Sequence, residues 1–596
     1  MSATVPERLA GRAAEEPSAC AVLVDGVGTL RFGEWDQRSN RLARGLSALG
    51  VDAGERVLLL FDERRWVDYA VAYVGVLKAG AVAVPVSSRL APSELRHIAI
   101  HAAASAVISP PDLASSGSGW GLSASLVTPE ELERGQSPDA FRRSVAGDDL
   151  AEVLYTSGTT GLPKGVACSH SSILVGTLSD LPADGATSTY FLHATPVGTI
   201  AGQETLRAVL APGRRCAVVL PVFDPERACE LIEQLRVRRL HLVPAAAHVL
   251  ARSDAPANHD VSSLDRIVLG GAASSPALLH RLVDLFPTAE VHNVYSLTEA
   301  GGARTRMIHG RGRGGSAREA SVGRPEAGSE VRIVDERGEP LPPGEAGEIW
   351  LRRPGAPTRS YYRDLEASAR AFAGGWLHTG DLGYLDEEGY LYLVDRMNDL
   401  VITGGFNVST IEVESVLEEH PAVVEAAVFG VPHDVLGHDV AAAVVLRAPV
   451  EGRVLQAFAR ERLAEYKTPH RVMVVESLPR TGTGKVVKRV LQERLLAESR
   501  ARPVEGAAAT EAAAGTEEVV AAIWAEILQA DGVAAEDDFF ALGGHSLAAA
   551  QVISRLQDTF GVTLSLEALL TSPTVAECAV MVDDARTVSA GGRVPE

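Results

Sequence analysis

The stretch Leu154–Val166, LYTSGTTGLPKGV, constrains this chain more than any other. An apolar approach (Val153, Leu154, Tyr155) runs into hydroxyls and glycines, and then into Pro163–Lys164–Gly165. The approach reads as a buried strand and the run as a loop. Gly158, Gly161 and Gly165 let backbone N–H groups turn inward. Thr156, Ser157, Thr159 and Thr160 add hydroxyl donors, and Lys164 adds a cation. Such donors suit a polyphosphate. The G-x-x-x-x-G-K-[ST] spacing is not met, so this is not a Walker A loop. A plain solvated Ser/Gly/Thr turn is the blander reading, and it suits a shorter run better.

Around this loop the chain alternates short β-rich runs with helical patterns. Val57–Phe61 and Ala81–Val86 read as buried strands with an amphipathic stretch between them, and Cys216–Leu220, Leu240–Val243 and Ile267–Leu269 continue the rhythm. That pattern predicts a layered, mostly parallel α/β domain. Residues 111–147, rich in Ser, Gly and Pro, read as loops; Arg304–Arg318 reads as a basic loop, either facing bound nucleotide or, the favoured reading, mobile and solvated. From Glu330 the pattern becomes that of β-hairpins, and Asp381–Arg396 is again turn-rich. Residues 399–495 read as a smaller α+β unit. Ala497–Glu517 is low-complexity and Ala/Glu-rich, the mark of a linker. Beyond it, Val519, Ile523 and Ile527, and then Val552, Leu556 and Phe560, recur every fourth residue, as in a helical bundle. The expected domains are a large unit 1–396, a small mobile unit 397–496, a linker 497–515, an all-α four-helix bundle 516–585 and a disordered tail 586–596.

Charge and cysteine content narrow the function. A net charge of −21 argues against a nucleic-acid partner. The five cysteines are odd in number and scattered, with no C-x-x-C pair, so neither a disulfide framework nor a zinc site is indicated. The N-terminus lacks the apolar core of a signal peptide, and no run of about 18 apolar residues occurs. A cytoplasmic enzyme without a membrane partner is expected.

Four further motifs carry chemistry: NVYSLTEA (Asn293–Ala300), WLHTGDLGY (Trp376–Tyr384), VDRMNDLVITGGFN from Val394, and LPRTGTGKVVKR (Leu478–Arg489). Together with the loop string they resemble the adenylate-forming enzymes, the group that holds acyl-CoA synthetases and the adenylation domains of nonribosomal peptide synthetases. DDFFALGGHSLAA (Asp537–Ala549) resembles the phosphopantetheine attachment site of carrier proteins, of the peptidyl kind. The first resemblance covers residues 10–495 and the second 516–585.

The resemblance implies a role for each matched residue. Tyr295 stacks on adenine, Thr298 meets the α-phosphate, and Glu299 helps hold Mg²⁺, which needs few protein ligands. Ser296 stands where glycine is usual. Asp381 takes the ribose hydroxyls, and Arg396 contacts ribose and the phosphate chain. Asn398 stands where the family's hinge has Asp or Lys. Lys485 is the implied catalytic lysine, its ammonium offsetting the repulsion between carboxylate and phosphate. Gly404 and Gly405 match the glycines that meet the incoming thiol, and Ser546 carries phosphopantetheine at the start of a helix.

For the acid itself, an ungapped alignment puts Gly198, followed by Thr199, where amino-acid-activating domains place an Asp. A buried α-ammonium without a counter-charge is expensive. An aryl, aliphatic, hydroxy or β-amino acid is therefore favoured over an ordinary α-amino acid. Val243, Gly271, Val294 and Gly302 complete a small, apolar pocket. The implied activity is ATP-dependent activation of a carboxylic acid and its transfer to the attached carrier, in nonribosomal-peptide-like biosynthesis. The alternative is an acyl-CoA ligase using free CoA. Implied partners are a phosphopantetheinyl transferase and downstream assembly-line enzymes, with room for a small accessory protein.

Overall fold

The computed structural model describes residues 4–114, 125–156, 163–175, 189–211, 213, 215–310, 318–397, 399–403, 406–433, 437–481, 485–501, 515–528, 532–539, 542, 546–562, 564, 569 and 574–590. The chain forms two compact units, residues 1–398 with 479–487, and residues 399–478 with 488–596.

Two sheets build the first unit. Among the described residues, thirteen strands make one and seven the other. In the larger sheet Glu290–Ser296, Arg266–Leu269, Arg239–Leu242, Thr189–His193, Arg215–Val219 and Cys20–Val24 are neighbours in that order, all parallel. The hairpins that begin near Glu330 extend the same sheet: Glu330–Val334 pairs antiparallel with Gly347–Arg352, and Leu377–Leu385 with Leu391–Arg396. In the smaller sheet Arg56–Phe61 and Val82–Ser87 are parallel, as their apolar runs predict.

The helix Trp66–Lys78 between those two strands departs from the expected amphipathic pattern. Every residue in it but Val67 and Asp68 is buried. The reason is its place in the layers. Its side chains share one core with Val22, Phe191 and Val219 of the large sheet and with Val57, Leu59 and Phe61 of the small one. A helix held between two sheets has no solvent face to keep polar. Alternate strand residues supply the outer cores: Leu58, Leu60 and Val84 in one, Leu192, Val218 and Leu240 in the other.

Three other expectations need correction. Residues 111–147 are not all loop, since Ser125–Val127 is an edge strand of the small sheet and Pro129–Glu133 a helix capped by Thr128. Arg304–His309 is no solvated loop but a strand of the large sheet, with Arg304 buried and ion-paired to Glu326. Burying the arginine stems against a paired carboxylate is what lets so basic a run join a sheet; residues 311–317 lie outside the described residues. Arg586 does not begin a disordered tail, because the helix Val575–Ala590 continues past it.

Two apolar cores of the second unit can be followed among the described residues. One joins the five-stranded sheet that contains Val423–His433 and Gly437–Leu446 to the helices Thr410–Glu418 and Gly452–Arg460. The other lies among the helices Thr516–Leu528, Ser546–Phe560 and Val575–Ala590. Ile523, Val552 and Leu556 are buried there, and Val519, Ile527 and Phe560 pack around them, as the four-residue spacing predicts. The expected linker begins inside the helix Lys488–Ala501.

Candidate active site

The strand Leu150–Thr156 delivers the hydroxyl–glycine stretch, and Lys164–Ser169 returns from it antiparallel, with Thr156 opposite Lys164. The loop therefore closes a hairpin. Ser157, Gly158, Thr159, Thr160 and Gly161 lie outside the described residues. Gly165, expected in the loop, is not part of it. It lies within the returning strand, where a Cβ would sit 2.7 Å from Val153 Cγ1 and 3.1 Å from the Tyr155 ring. Its missing side chain makes room for packing.

Glu299, in the single 3-10 turn Thr298–Ala300 after the strand Glu290–Ser296, is the meeting point. Its Oε1 accepts from Thr156 Oγ1 at 3.2 Å and from the Tyr361 hydroxyl at 3.4 Å. Lys164 Nζ stands 5.2 Å from the centre of the Tyr361 ring, a cation–π distance. The carbonyl of Thr298 accepts from Arg359, a buried guanidinium that also donates to Ser172 Oγ at 3.3 Å.

Asp381 lies in the strand Leu377–Leu385, opposite Arg396 in the adjacent strand. Its Oδ2 accepts from the Tyr295 hydroxyl at 2.7 Å, and Arg396 Nε is 3.3 Å from its Oδ1. Burial, then the Asp381 charge, raises the Tyr295 hydroxyl far above the ordinary phenol range, so it remains a donor.

Lys485 belongs to a short hairpin of the first unit. Arg480 bridges Val486, Thr481 N–H donates to the Lys485 carbonyl at 2.8 Å, and Lys485 N–H donates to Thr481 Oγ1 at 3.2 Å. Burial and, after it, the Arg396 charge pull the ammonium below its ordinary value, while Glu299 and Asp381 oppose them. Lys485, Arg396, Glu299 and Asp381, far apart in sequence, thus share one electrostatic neighbourhood. Residues 482–484, Asn398, Gly404 and Gly405 lie outside the described residues.

The pocket residues fall into two groups. Gly271 faces Val243, whose Cγ1 would be 4.0 Å from an added Cβ, and Gly270 lies beside the Val294 carbonyl at 3.4 Å on the same measure. Gly198 instead lines a narrow, largely apolar cavity with Val86, Ser87, Tyr155, Pro163 and Thr481. Its φ is +74°, and a Cβ there would lie 3.0 Å from the backbone of Val86 and Ser87. Thr199 caps the helix Ile200–Val209, its hydroxyl accepting from Gly202 N–H at 3.1 Å and donating to the Pro196 carbonyl at 2.8 Å. Gly302 sits at φ +87° in the turn after Glu299, its carbonyl accepting from Arg353. Ser546 heads the helix Ser546–Phe560 in the second unit.

Four neighbours of the site escaped sequence reasoning: Arg359, Tyr361, His97 and His101. The run TRSYYRD around Tyr361 carries two tyrosines and two arginines, yet it matches no spacing that signals a ligand.

Among the described residues no three His, Cys, Asp or Glu side chains gather as metal ligands. A single carboxylate beside a hydroxyl still fits Mg²⁺, a hard cation that keeps waters and substrate phosphates in its shell.

Comparison with known proteins agrees with this picture. Residues 9–362 match the AMP-binding enzyme family, residues 412–485 the AMP-binding enzyme C-terminal domain, and residues 518–581 the phosphopantetheine attachment site. The chain is 32% identical over 518 residues to the fatty acid–[acyl-carrier-protein] ligase ScoC of Streptomyces coeruleorubidus, covering 83% of this chain and 97% of that one. It is 30% identical over 584 residues to a linear gramicidin synthase of Brevibacillus parabrevis, covering 95% of this chain and 11% of that one. Among solved structures, the o-succinylbenzoate CoA synthetase of Bacillus subtilis in complex with its acyl-adenylate intermediate superposes with a TM-score of 0.73 at 28% identity, over 82% of this chain and 99% of that one. The anthranilate CoA ligase AuaEII, in complex with anthranoyl-AMP, gives 0.74 at 26% identity, over 83% and 98%.

Proposed function

Since the chain belongs to the AMP-binding, adenylate-forming enzymes and carries a phosphopantetheine attachment domain, we propose that it activates a carboxylic acid other than an ordinary α-amino acid and loads it on its own carrier at Ser546. As an acid–thiol ligase of this family it uses ATP, with Mg²⁺ typical of the family, and releases AMP and pyrophosphate. The observation that carries the reading is the convergence of Lys485 and Arg396 with Glu299 and Asp381.

Adenylation draws a carboxylate towards a phosphoryl centre, so two negative groups must approach. Lys485 and Arg396 supply positive charge in a partly desolvated place, where it acts more strongly than in water. Glu299, steadied by Thr156 and Tyr361, would hold the metal, with Thr298 beside the α-phosphate. Asp381 and Tyr295 would receive ribose and adenine, with Thr156, Lys164 and residues 157–161 around the phosphates. Phosphopantetheine, once attached at Ser546, supplies the thiol that accepts the acyl group. Gly404 and Gly405 are the proposed thiol-side contacts, and 397–496 the proposed mobile unit.

Gly198 supports the substrate class. With φ at +74° and no room for a Cβ, this position holds no carboxylate to pair with an α-ammonium. Fatty acid, o-succinylbenzoate and anthranilate, the acids in the names of the similar proteins, fit the same inference. The likeness to a gramicidin synthase supports a place in natural-product assembly, with a phosphopantetheinyl transferase upstream and assembly-line enzymes downstream.

A second reading, a ligase that uses free CoA, is favoured by the CoA ligases among the similar proteins, such as feruloyl-CoA synthase of Amycolatopsis sp, 35% identical over 496 residues. The two separate in one experiment. Holo protein is incubated with ATP, Mg²⁺ and pooled aryl, aliphatic, β-amino and α-amino acids, and its intact mass is measured. An acyl adduct that disappears in Ser546→Ala, and forms about 10²–10³-fold more slowly in Lys485→Ala, is expected. No adduct on verified holo protein, with acyl-CoA appearing once CoA is added, selects the second reading.

A further inference from the structure

The helix Pro92–Ala102 carries His97 and His101 one turn apart, their rings stacked at 5.6 Å. His97 Nε2 lies 3.3 Å from the Pro163 carbonyl, which can only accept, so Nε2 carries the proton. His101 Nδ1 lies 2.7 Å from the Tyr155 hydroxyl, and its ring meets Tyr155 and Tyr362 edge-on. Tyr155 immediately precedes Thr156, and Pro163 immediately precedes Lys164. Both residues are therefore stems of the hydroxyl–glycine loop, and one helix holds both.

We infer that His97 and His101 are positioning residues for the nucleotide polyphosphate, fixing the separation of the two stems and with it the register of Thr156 against Lys164. The inference rests on the proposed roles of Thr156 and Lys164 at the nucleotide's phosphates. A rigid helix suits the task, because donors that are not held in place before binding lose affinity to ordering.

The pair also makes the grip depend on acidity. The groups facing His101 are His97, Tyr155, Tyr362, Arg363 and Asp364. Burial, then His97 and Arg363, keep it below the ordinary histidine range, against Asp364. With its proton on Nε2, a neutral His101 accepts from the Tyr155 hydroxyl at Nδ1, and a protonated one cannot. Protonation of His101 therefore turns that acceptor into a donor and sets a positive charge beside Arg363.

The test uses the full chain and two probes, the Mg²⁺ complex of α,β-methylene-ATP and AMP, with Kd measured by calorimetry. His97→Phe and His101→Phe keep a ring but lose the polar contact; His97→Gln restores a donor. Each Phe variant is expected to weaken the triphosphate analogue about 3–10-fold, the scale of one hydrogen bond, while AMP binding stays within about twofold. His97→Gln should recover most of the loss. Wild-type binding of the analogue should weaken between pH 7.5 and 5.5, and the double Phe variant should lose that slope. Equal weakening of both probes would mean that the histidines merely support the fold, and would overturn the inference; so would unchanged binding in the variants. A wild-type chain that fails to bind the analogue while binding AMP overturns the proposed roles of Thr156 and Lys164, and this inference with them.

Discussion

His193 shows how much one buried side chain can weigh. It ends the strand Thr189–His193 without solvent exposure, its Nδ1 bonded to Thr195 Oγ1 at 2.8 Å and its ring edge-on to Trp66. Burial, then the nearby His241, pulls its pKa from 6.5 to about 3. The folded chain therefore keeps this histidine neutral at pH values where the unfolded chain binds a proton. Between about pH 6.5 and 3 the unfolded state holds more protons, so stability rises with pH and is lost on acidification, by about 1.4 kcal/mol per unit from this group. Urea unfolding of the first unit at pH 5 and 7 checks this: His193→Leu should show a shallower loss towards acid than the wild type. Single residues also marked the limit of sequence reading. Tyr295, Asp381, Arg396 and Lys485 were named from their motifs, whereas Arg359 and Tyr361 were not. Their partners, Thr298 and Glu299, lie 61 and 62 residues away, and no local pattern encodes such a contact.

Among the elements, the strand Leu150–Thr156 and the helix Ile200–Val209 depend on each other most. Glu152, inside the strand, accepts from Tyr73 at 2.9 Å and Gln203 at 3.0 Å and is ion-paired to Arg207; Arg207 also donates to the Ile173 carbonyl at 3.1 Å. Glu152 and Arg207 are both buried, so losing one partner strands a charge away from water. Arg207→Met should cost about 3–5 kcal/mol in chemical denaturation. Glu152→Leu combined with Arg207→Met should recover only part of that: no charge is stranded, but the Tyr73 hydroxyl and the Gln203 amide lose the carboxylate that accepts from them. The same network ties the strand that leads into Thr156 to the helix that Thr199 caps, beside Gly198. The apolar approach at Val153–Tyr155 predicted the strand; neither the helix nor the charge pair that joins the two was read from the sequence.

At the scale of the molecule, cysteines scattered in sequence prove to be neighbours in space. Cys20 and Cys216 stand in adjacent parallel strands with their sulfurs 2.8 Å apart. Hydrogen peroxide should couple them, the two thiols giving up two protons and two electrons as the peroxide becomes two waters. Intact mass should fall by two hydrogens, reversibly with dithiothreitol, and Cys20→Ser should abolish the change. Both residues sit near the starts of their strands, whereas Thr298 and Glu299 follow the end of theirs, so adenylation should continue in the coupled form. The sequence by itself determined the strand–loop stem at Tyr155–Thr156, the βα alternation, the shift to hairpins after Glu330, and the motifs that carry Lys485 and Ser546. All of these are local: an apolar period, a turn residue or a short string states them within a few positions. Only the tertiary structure decided that Trp66–Lys78 is buried on every side, that Arg304–His309 is a strand, that Gly198 has no space for a side chain, and that His97 and His101 reach both stems of one loop. Each of these follows from which distant segments pack together, and a local pattern carries no information about a neighbour a hundred residues away.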